Sequence, residues 1–170
     1  MITIERITPR IALVFKDVRL RALQDSPTAF SSTYAKESQL SDDEWRQRSV
    51  RWSGGGSAIF LAFDGEFGCG IVGAYEEEGA LTAQIISMWV DPGFRQSGVG
   101  KQLIDAVVEW AGARGVRELK LMVTSVNQGA IAFYERMGFT MTGKTGPYPN
   151  DPAITEYEME RVLPSNALGK

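Results

Sequence analysis

Residues 91–110, DPGFRQSGVGKQLIDAVVEW, set an arginine, two polar residues and two glycines directly before an amphipathic run. Val99, Leu103, Ile104, Val107, Val108 and Ala111 recur at helical spacing and form a single apolar stripe. The run in front, ALTAQIISMWVDP from Ala80, is rich in branched and aromatic residues and predicts a strand closed by Asp91 and Pro92. The order is therefore strand, turn, glycine loop, helix. At such a helix start the first backbone amides have no partner within the helix, and the helix dipole adds partial positive charge, so the loop suits a phosphate. Gly98 and Gly100 lack Cβ atoms, which lets a ligand approach the backbone. A glycine pair in this place also serves as a plain tight turn, and one arginine as a solvated charge.

Two phosphate-binding patterns fail here. A Walker A loop, G-x-x-x-x-G-K-S/T, has its glycine gap from Gly93 to Gly98 but then meets Val99, and counting back from Gly100 and Lys101 puts Arg95 at the first glycine. The dinucleotide fingerprint G-x-G-x-x-G can start at Gly98 and Gly100 but meets Leu103 at its third glycine. What stands is R-x-x-G-x-G, formed by Arg95, Gln96, Ser97, Gly98, Val99 and Gly100.

The 170 residues suit one well-buried α/β domain, 1–170 with a core over about 4–162, and are too few for two ordinary ones. No apolar run approaches a membrane span, and MITIERITPR lacks the features of a signal peptide, so a cytoplasmic protein is expected. Cys69 is the lone cysteine and histidine is absent, which removes an internal disulfide, an ordinary zinc site and histidine-activated nucleophiles. Acid–base work falls to Asp, Glu, Tyr, Lys, the cysteine or water. A net charge of -3 without a polybasic tract argues against nucleic acid or an anionic membrane as partner.

ITIERI reads as a strand, and Ile11 to Leu23 as a helix that ends at Ser26 and Pro27. SDDEWRQRSVRW reads as a second helix, with Ser41 and Glu44 as its capping box. SAIFLAF, GCGIVGAYEE and LTAQIISMWV predict an antiparallel meander. VRELKLMVTS predicts a strand parallel to the one before the glycine loop, because a helical crossover joins them. NQGAIAFYERMGF predicts a short helix with Gly138 as its C-cap, and FTMTGKT and ITEYEMERVL two closing strands around the loop GPYPNDP. The expected fold is α/β (α+β): a mixed, mostly antiparallel sheet of about six to seven strands, with one parallel pair and about four helices.

Asn127, Ala130, Phe133, Tyr134, Gly138 and Phe139 make a second pattern, N-x-x-A-x-x-F-Y-x-x-x-G-F, one strand beyond R-x-x-G-x-G. Taken alone, this is the apolar face of a helix with Asn127 as N-cap. The two patterns and the element order together resemble the GCN5-related N-acetyltransferase (GNAT) family from about Ile4 to Val162.

The resemblance implies transfer of an acetyl group from acetyl-coenzyme A, used as a cosubstrate without a metal, to a primary amine of a small molecule or peptide by direct attack. The parallel strands would be splayed at the cofactor site, and a bulge would free backbone groups of Met88, Trp89 and Val90 for the pantetheine arm. One freed N–H, of Trp89 or Val90, would bind the thioester carbonyl. The pyrophosphate would lie on the amides of Gln96, Ser97, Gly98, Val99, Gly100 and Lys101, with Arg95 as charge partner. Asn127 would bond to the pantetheine arm, Ala130 and Phe133 would pack on the cofactor, and Tyr134 would protonate the leaving thiolate. Phe30, Tyr34 and Tyr148 would wall the acceptor site, and a homodimer is common in the family. Gln84 stands where many members carry the glutamate that takes the amine proton, so the general base is open, with Glu37 as one candidate. That departure also admits a module that binds acyl-coenzyme A without turnover.

Overall fold

The computed structural model describes residues 1–79 and 81–164. Ala80, placed above at the head of a strand, and the last six residues of the expected 1–170 domain lie outside the described residues. The chain order is β1 (Ile2–Arg6), α1 (Ala12–Asp25), α2 (Tyr34–Glu37), α3 (Asp42–Arg51), β2 (Ser57–Asp64), β3 (Phe67–Glu76), β4 (Thr82–Val90), α4 (Val99–Ala113), β5 (Glu118–Thr124), α5 (Gln128–Arg136), β6 (Thr140–Tyr148) and β7 (Asp151–Val162). The strands form one seven-stranded sheet in the order β1-β2-β3-β4-β5-β7-β6.

The apolar stripe of α4 becomes one core. Val99, Leu103, Ile104, Val107 and Ala111 are fully buried against one face of the sheet, on Ala58, Ala62, Val72 and Ala74. On the other face Phe15, Val18 and Leu23 of α1 and Trp45 of α3 meet Leu61 and Ile71. Phe15 and Trp45 sit edge to face with ring centroids 5.2 Å apart. Burying a side chain of this size stabilises by about 1.5–3 kcal/mol, so the sheet is held from both sides. The capping box forms as expected, the Glu44 amide donating to Ser41 Oγ at 3.2 Å.

One expectation changes in detail. GPYPNDP is mostly strand: β6 runs through Tyr148 and β7 starts at Asp151, leaving a tight turn between them. Tyr148 holds that turn down, its hydroxyl donating to the carbonyls of Pro27 at 2.9 Å and of Phe30. Among the described residues the α-helices number five, in keeping with the expected about four: a single turn, Tyr34–Glu37, forms in the irregular segment, where Thr33 accepts from the Lys36 amide.

The parallel pair is short. Among the described residues β4 pairs with β5 only at Thr82–Gln84 against Glu118–Lys120, and beyond Gln84 the two strands have no paired residues. The same part of β4 slips against β3: Ile86 faces Gly73 and Trp89 faces Ile71, so Ser87 and Met88 stand opposite the single residue Val72. Ser87 has φ 59, the left-handed backbone that an extra bulged residue takes.

Candidate functional site

The separation of β4 from β5 opens a groove on the α4–α5 face and a cleft on the α1 face, and Met88, Asn127, Ala130 and Tyr134 border both. The groove, of ≈ 510 Å³, is bordered among others by Met88, Trp89, Val90, Arg95, Gln96, Gly98, Gly100, Lys101 and Phe133. The sequence thus brings most of its candidate residues to one place.

At the mouth of the groove, Gly98 caps α4 with φ 91, and Gln96 before it has φ 63. An added Cβ on Gly98 would meet nothing within 4 Å, so its glycine answers to backbone conformation and open space. The α4 ladder begins with the Gln102 amide on the Gly98 carbonyl at 3.1 Å, and among the described residues the amides of Val99, Gly100 and Lys101 have no acceptor. Such a helix start is a receptor for negative charge. The side chains here point elsewhere: Val99 is fully buried, Ser97 Oγ donates to the Phe94 carbonyl, and Lys101 pairs with Asp105 at 2.7 Å.

Gly100 has a different reason for being glycine. A Cβ there would lie 3.0 Å from two atoms of the Phe133 ring, so the missing atom lets α5 close on α4. Phe133 packs in turn edge to face on Tyr134, ring centroids 5.4 Å apart, and Tyr134 on Phe139 at 5.8 Å. Tyr134 is buried, and burial pushes its phenol upward, so it stays protonated through the neutral range. No hydrogen bond to its hydroxyl is present among the described residues, and the residue borders both openings. Asn127 caps α5, its Oδ1 accepting from the Ala130 amide at 3.2 Å, which leaves its amide N–H groups for the groove.

The bulge falls at Ser87 and Met88, and Trp89 and Val90 pair with β3 opposite Ile71 and Gly70; on the other edge Met88, Trp89 and Val90 all lie where β4 has no partner on β5. The Val90 carbonyl accepts from Arg95 Nε at 2.9 Å. Trp89 turns its buried indole to the α1 side, where Nε1 donates to Asp25 Oδ2 at 2.9 Å. Arg95 is not a free charge either: its other nitrogen pairs with the same Asp25 oxygen at 2.6 Å. Burial alone would raise the Asp25 pKa, but hydrogen bonds from Trp89, Ser26 and Arg95 and the Arg95 charge lower it below the ordinary value. Asp25 therefore ties the end of α1, the strand and the glycine loop into one piece.

The cleft on the other face, ≈ 340 Å³, is bordered by Arg19, Phe30, Tyr75, Gln84, Thr124, Tyr148 and Glu156 among others. Phe30 and Tyr148 are there as expected, while Tyr34 is exposed and stands outside both openings. Gln84 Nε2 donates to Glu77. Glu37 is overturned as a base. It is 1% exposed and accepts from Arg19 at 3.0 and 2.9 Å and from Arg48 at 2.9 Å. Burial raises its pKa, but the Arg19 hydrogen bonds and charge, a Ser32 hydrogen bond and the Arg48 charge win and hold it at about 2. An amine near pKa 10 would have to hand its proton uphill by about 11 kcal/mol to such a carboxylate.

Several bordering residues escaped the sequence reading. Ser26 reads in the sequence only as a helix stop and Arg136 carries no signal there, yet both border the groove. Thr124 and Glu156 sit on strands whose alternation gave no sign of which face meets the cleft. Only the register of the sheet supplies that.

Residues 20–139 match the Acetyltransferase (GNAT) family. The chain is 47% identical over 57 residues to an uncharacterized N-acetyltransferase of Methanocaldococcus jannaschii, covering 34% of this chain and 25% of that protein. It spans between a fifth and about half of the length of the curated relatives it matches. A GNAT-family acetyltransferase of Streptococcus pneumoniae superposes with a TM-score of 0.80 at 22% identity, over 96% of this chain and 100% of that one. The PaiA N-acetyltransferase of Thermoplasma acidophilum, solved in complex with coenzyme A, superposes at 0.75 with 18% identity over 96% and 99% of the two chains. With the family match covering most of the sequence and the same fold in these structures, the chain belongs to the Acetyltransferase (GNAT) family.

Proposed function

We propose that the protein is an acetyl-coenzyme A-dependent N-acetyltransferase acting on a primary amine, with the cofactor in the groove and the amine in the cleft. The observation that carries this is the gap between β4 and β5, which joins a helix start with unpaired amides on one side to an acceptor-sized cleft on the other. The residues fit the cofactor. Its pyrophosphate is held by the amides of Val99, Gly100 and Lys101, with those of Gln96 to Gly98 and the cation of Arg136 beside them. Arg95 acts mainly by fixing the loop through Asp25 and Val90. The pantetheine arm fits along β4 at the bulge, against Ala130 and Phe133, with the Asn127 amide as a donor. Coenzyme A supplies an activated acetyl thioester, so no covalent protein intermediate is required.

The protein's share of the chemistry is to hold donor and amine together and to move two protons. Tyr134, protonated and unpartnered, reaches the meeting point of groove and cleft and is the proton donor to the leaving thiolate. The test is release of free thiol from acetyl-coenzyme A across a panel of primary amines, amino acids and peptides. Gln84 favours a second reading, a module that binds acyl-coenzyme A without turnover. Coenzyme A binding with no amine accelerating thiol release would select it.

A further inference from the structure

The cleft holds a carboxylate that nothing in the fold neutralises. Glu156 borders it from β7. Across the ladder on one side stands Thr124 of β5, and on the other Gly146 of β6, which has no side chain and would meet nothing within 4 Å if it had one. The Glu156 carboxylate has no ion pair or hydrogen bond among the described residues. Lys144, the cation on β6, is largely exposed and lies 4.0 Å from Glu158 instead. The other charged or ionisable groups on the cleft are Arg19 from α1, Tyr75 from β3, Tyr134 from α5 and Tyr148 from β6. Arg19, the one cation bordering it among the described residues, is committed to Glu37 and to Ser87 Oγ at 2.6 Å.

A second, independent feature sits at the same place. Thr124 is 4% exposed, borders the cleft, and its Oγ1 is buried without a partner among the described residues. Directly opposed residues on an antiparallel pair project from the same face, so this hydroxyl and the Glu156 carboxylate are neighbours. A buried hydroxyl left unpaired is unfavourable unless a ligand completes it.

From this juxtaposition we infer that Glu156 is the base for the acceptor, with Thr124 as the hydroxyl that positions the amine, and that the acceptor is a primary ammonium on an apolar body packed between Phe30 and Tyr148. The inference rests on the acetyltransferase reading. The ammonium N–H bond breaks and its proton passes to the Glu156 carboxylate. The freed lone pair forms the C–N bond at the thioester carbonyl carbon, the C–S bond breaks with its electrons going to sulfur, and the thiolate takes its proton from Tyr134. The second amine proton returns to Tyr134 through water, and the proton on Glu156 leaves to solvent. Burial raises the Glu156 pKa above the ordinary carboxyl value, which brings it nearer to that of the amine it must deprotonate.

Phenethylamine is the probe, with wild type, Glu156→Gln, Glu156→Asp and Thr124→Val compared for kcat/KM from acid to about pH 10 and for melting temperature. Glu156→Gln should lose about a hundredfold at neutral pH, with a normal melting temperature and partial recovery in Glu156→Asp. The loss should shrink as pH approaches the amine pKa of about 10, where the amine arrives already deprotonated. A loss that is constant with pH, or no loss, overturns the assignment. If wild type acetylates no amine in the panel, the acetyltransferase reading falls, and phenethylamine binding to the coenzyme A complex by calorimetry then judges the anchor alone. Binding that weakens at least tenfold in Glu156→Gln upholds Glu156 as the ammonium anchor, the base role having fallen with turnover; equal binding, or none in wild type, overturns the anchor as well.

Discussion

Replacing Glu37 with Gln tests the electrostatics beneath the cleft. Its carboxylate is clamped by three hydrogen bonds of 2.9–3.0 Å from Arg19 and Arg48, with 2% of its side chain exposed. Its pKa of about 2, against an ordinary 4.5, corresponds to about 3 kcal/mol of folding stability. The sign follows from the depression. The contribution is complete above the unfolded-state value and is lost as pH falls through about 2. Glutamine keeps the shape but leaves two guanidiniums without their counter-charge, which costs about 3–5 kcal/mol at neutral pH. Denaturant unfolding followed by tryptophan fluorescence, at pH steps from neutral to about 2, should show a wide gap between wild type and Glu37→Gln that closes toward acid. A gap that stays constant over that range would refute the depressed carboxylate.

Tyr134→Phe should lower kcat by about ten- to a thousandfold while leaving the melting temperature unchanged, because the hydroxyl makes no hydrogen bond among the described residues; unchanged turnover removes it from the catalytic residues. Gly98→Asp should raise the dissociation constant of coenzyme A more than Arg95→Ala does, since it places a carboxylate in the open space before α4 and forces a side chain into φ 91, whereas Arg95 already spends its charge on Asp25. Calorimetry showing the opposite ordering sinks the phosphate loop as described. Gly100→Ala drives a methyl to within 3.0 Å of the Phe133 ring and should cost about 1–3 kcal/mol, relieved when Phe133→Leu is added; equal melting temperatures would show that α5 yields freely.

What was legible in the sequence is what local pattern controls. The stripe from Val99 to Ala111, the Ser41 cap and the turn at Gly138 are set by residues within a few positions of one another, and each stands where its spacing put it. The parallel pairing of β4 and β5 followed from the helix between them. Register was not legible. The bulge lies at Ser87 and Met88 because β3 across the sheet offers only Val72 there, and no feature of MWV distinguishes it from a regular strand. GPYPNDP looked like loop from its prolines, yet Tyr148 reaches two carbonyls more than a hundred residues away and pulls the turn tight. Glu37 is legible only as one candidate base, because its partners Arg19 and Arg48 come from α1 and α3.

The same limit explains why the sequence left the base open, with Glu37 as one candidate. Glu37 sits in an irregular polar segment and Glu156 is the first of three alternating glutamates, with Glu158 and Glu160, in a strand pattern, and neither pattern shows which carboxylate is paired. Their surroundings do. Arg19 and Arg48 hold the Glu37 charge so firmly that each proton it accepted would cost the clamp. Glu156 faces a glycine and an unpaired threonine hydroxyl, and burial shifts it the other way. Each unit by which a carboxylate rises toward an amine near 10 removes about 1.4 kcal/mol from the proton transfer, so the clamped glutamate is the poorest acceptor available and the unpaired one the better. The clamp still serves the cleft, because it occupies Arg19, the cation that would otherwise neutralise Glu156 or repel an incoming ammonium. A glutamate unable to take the proton thereby keeps the cleft negative for one that can.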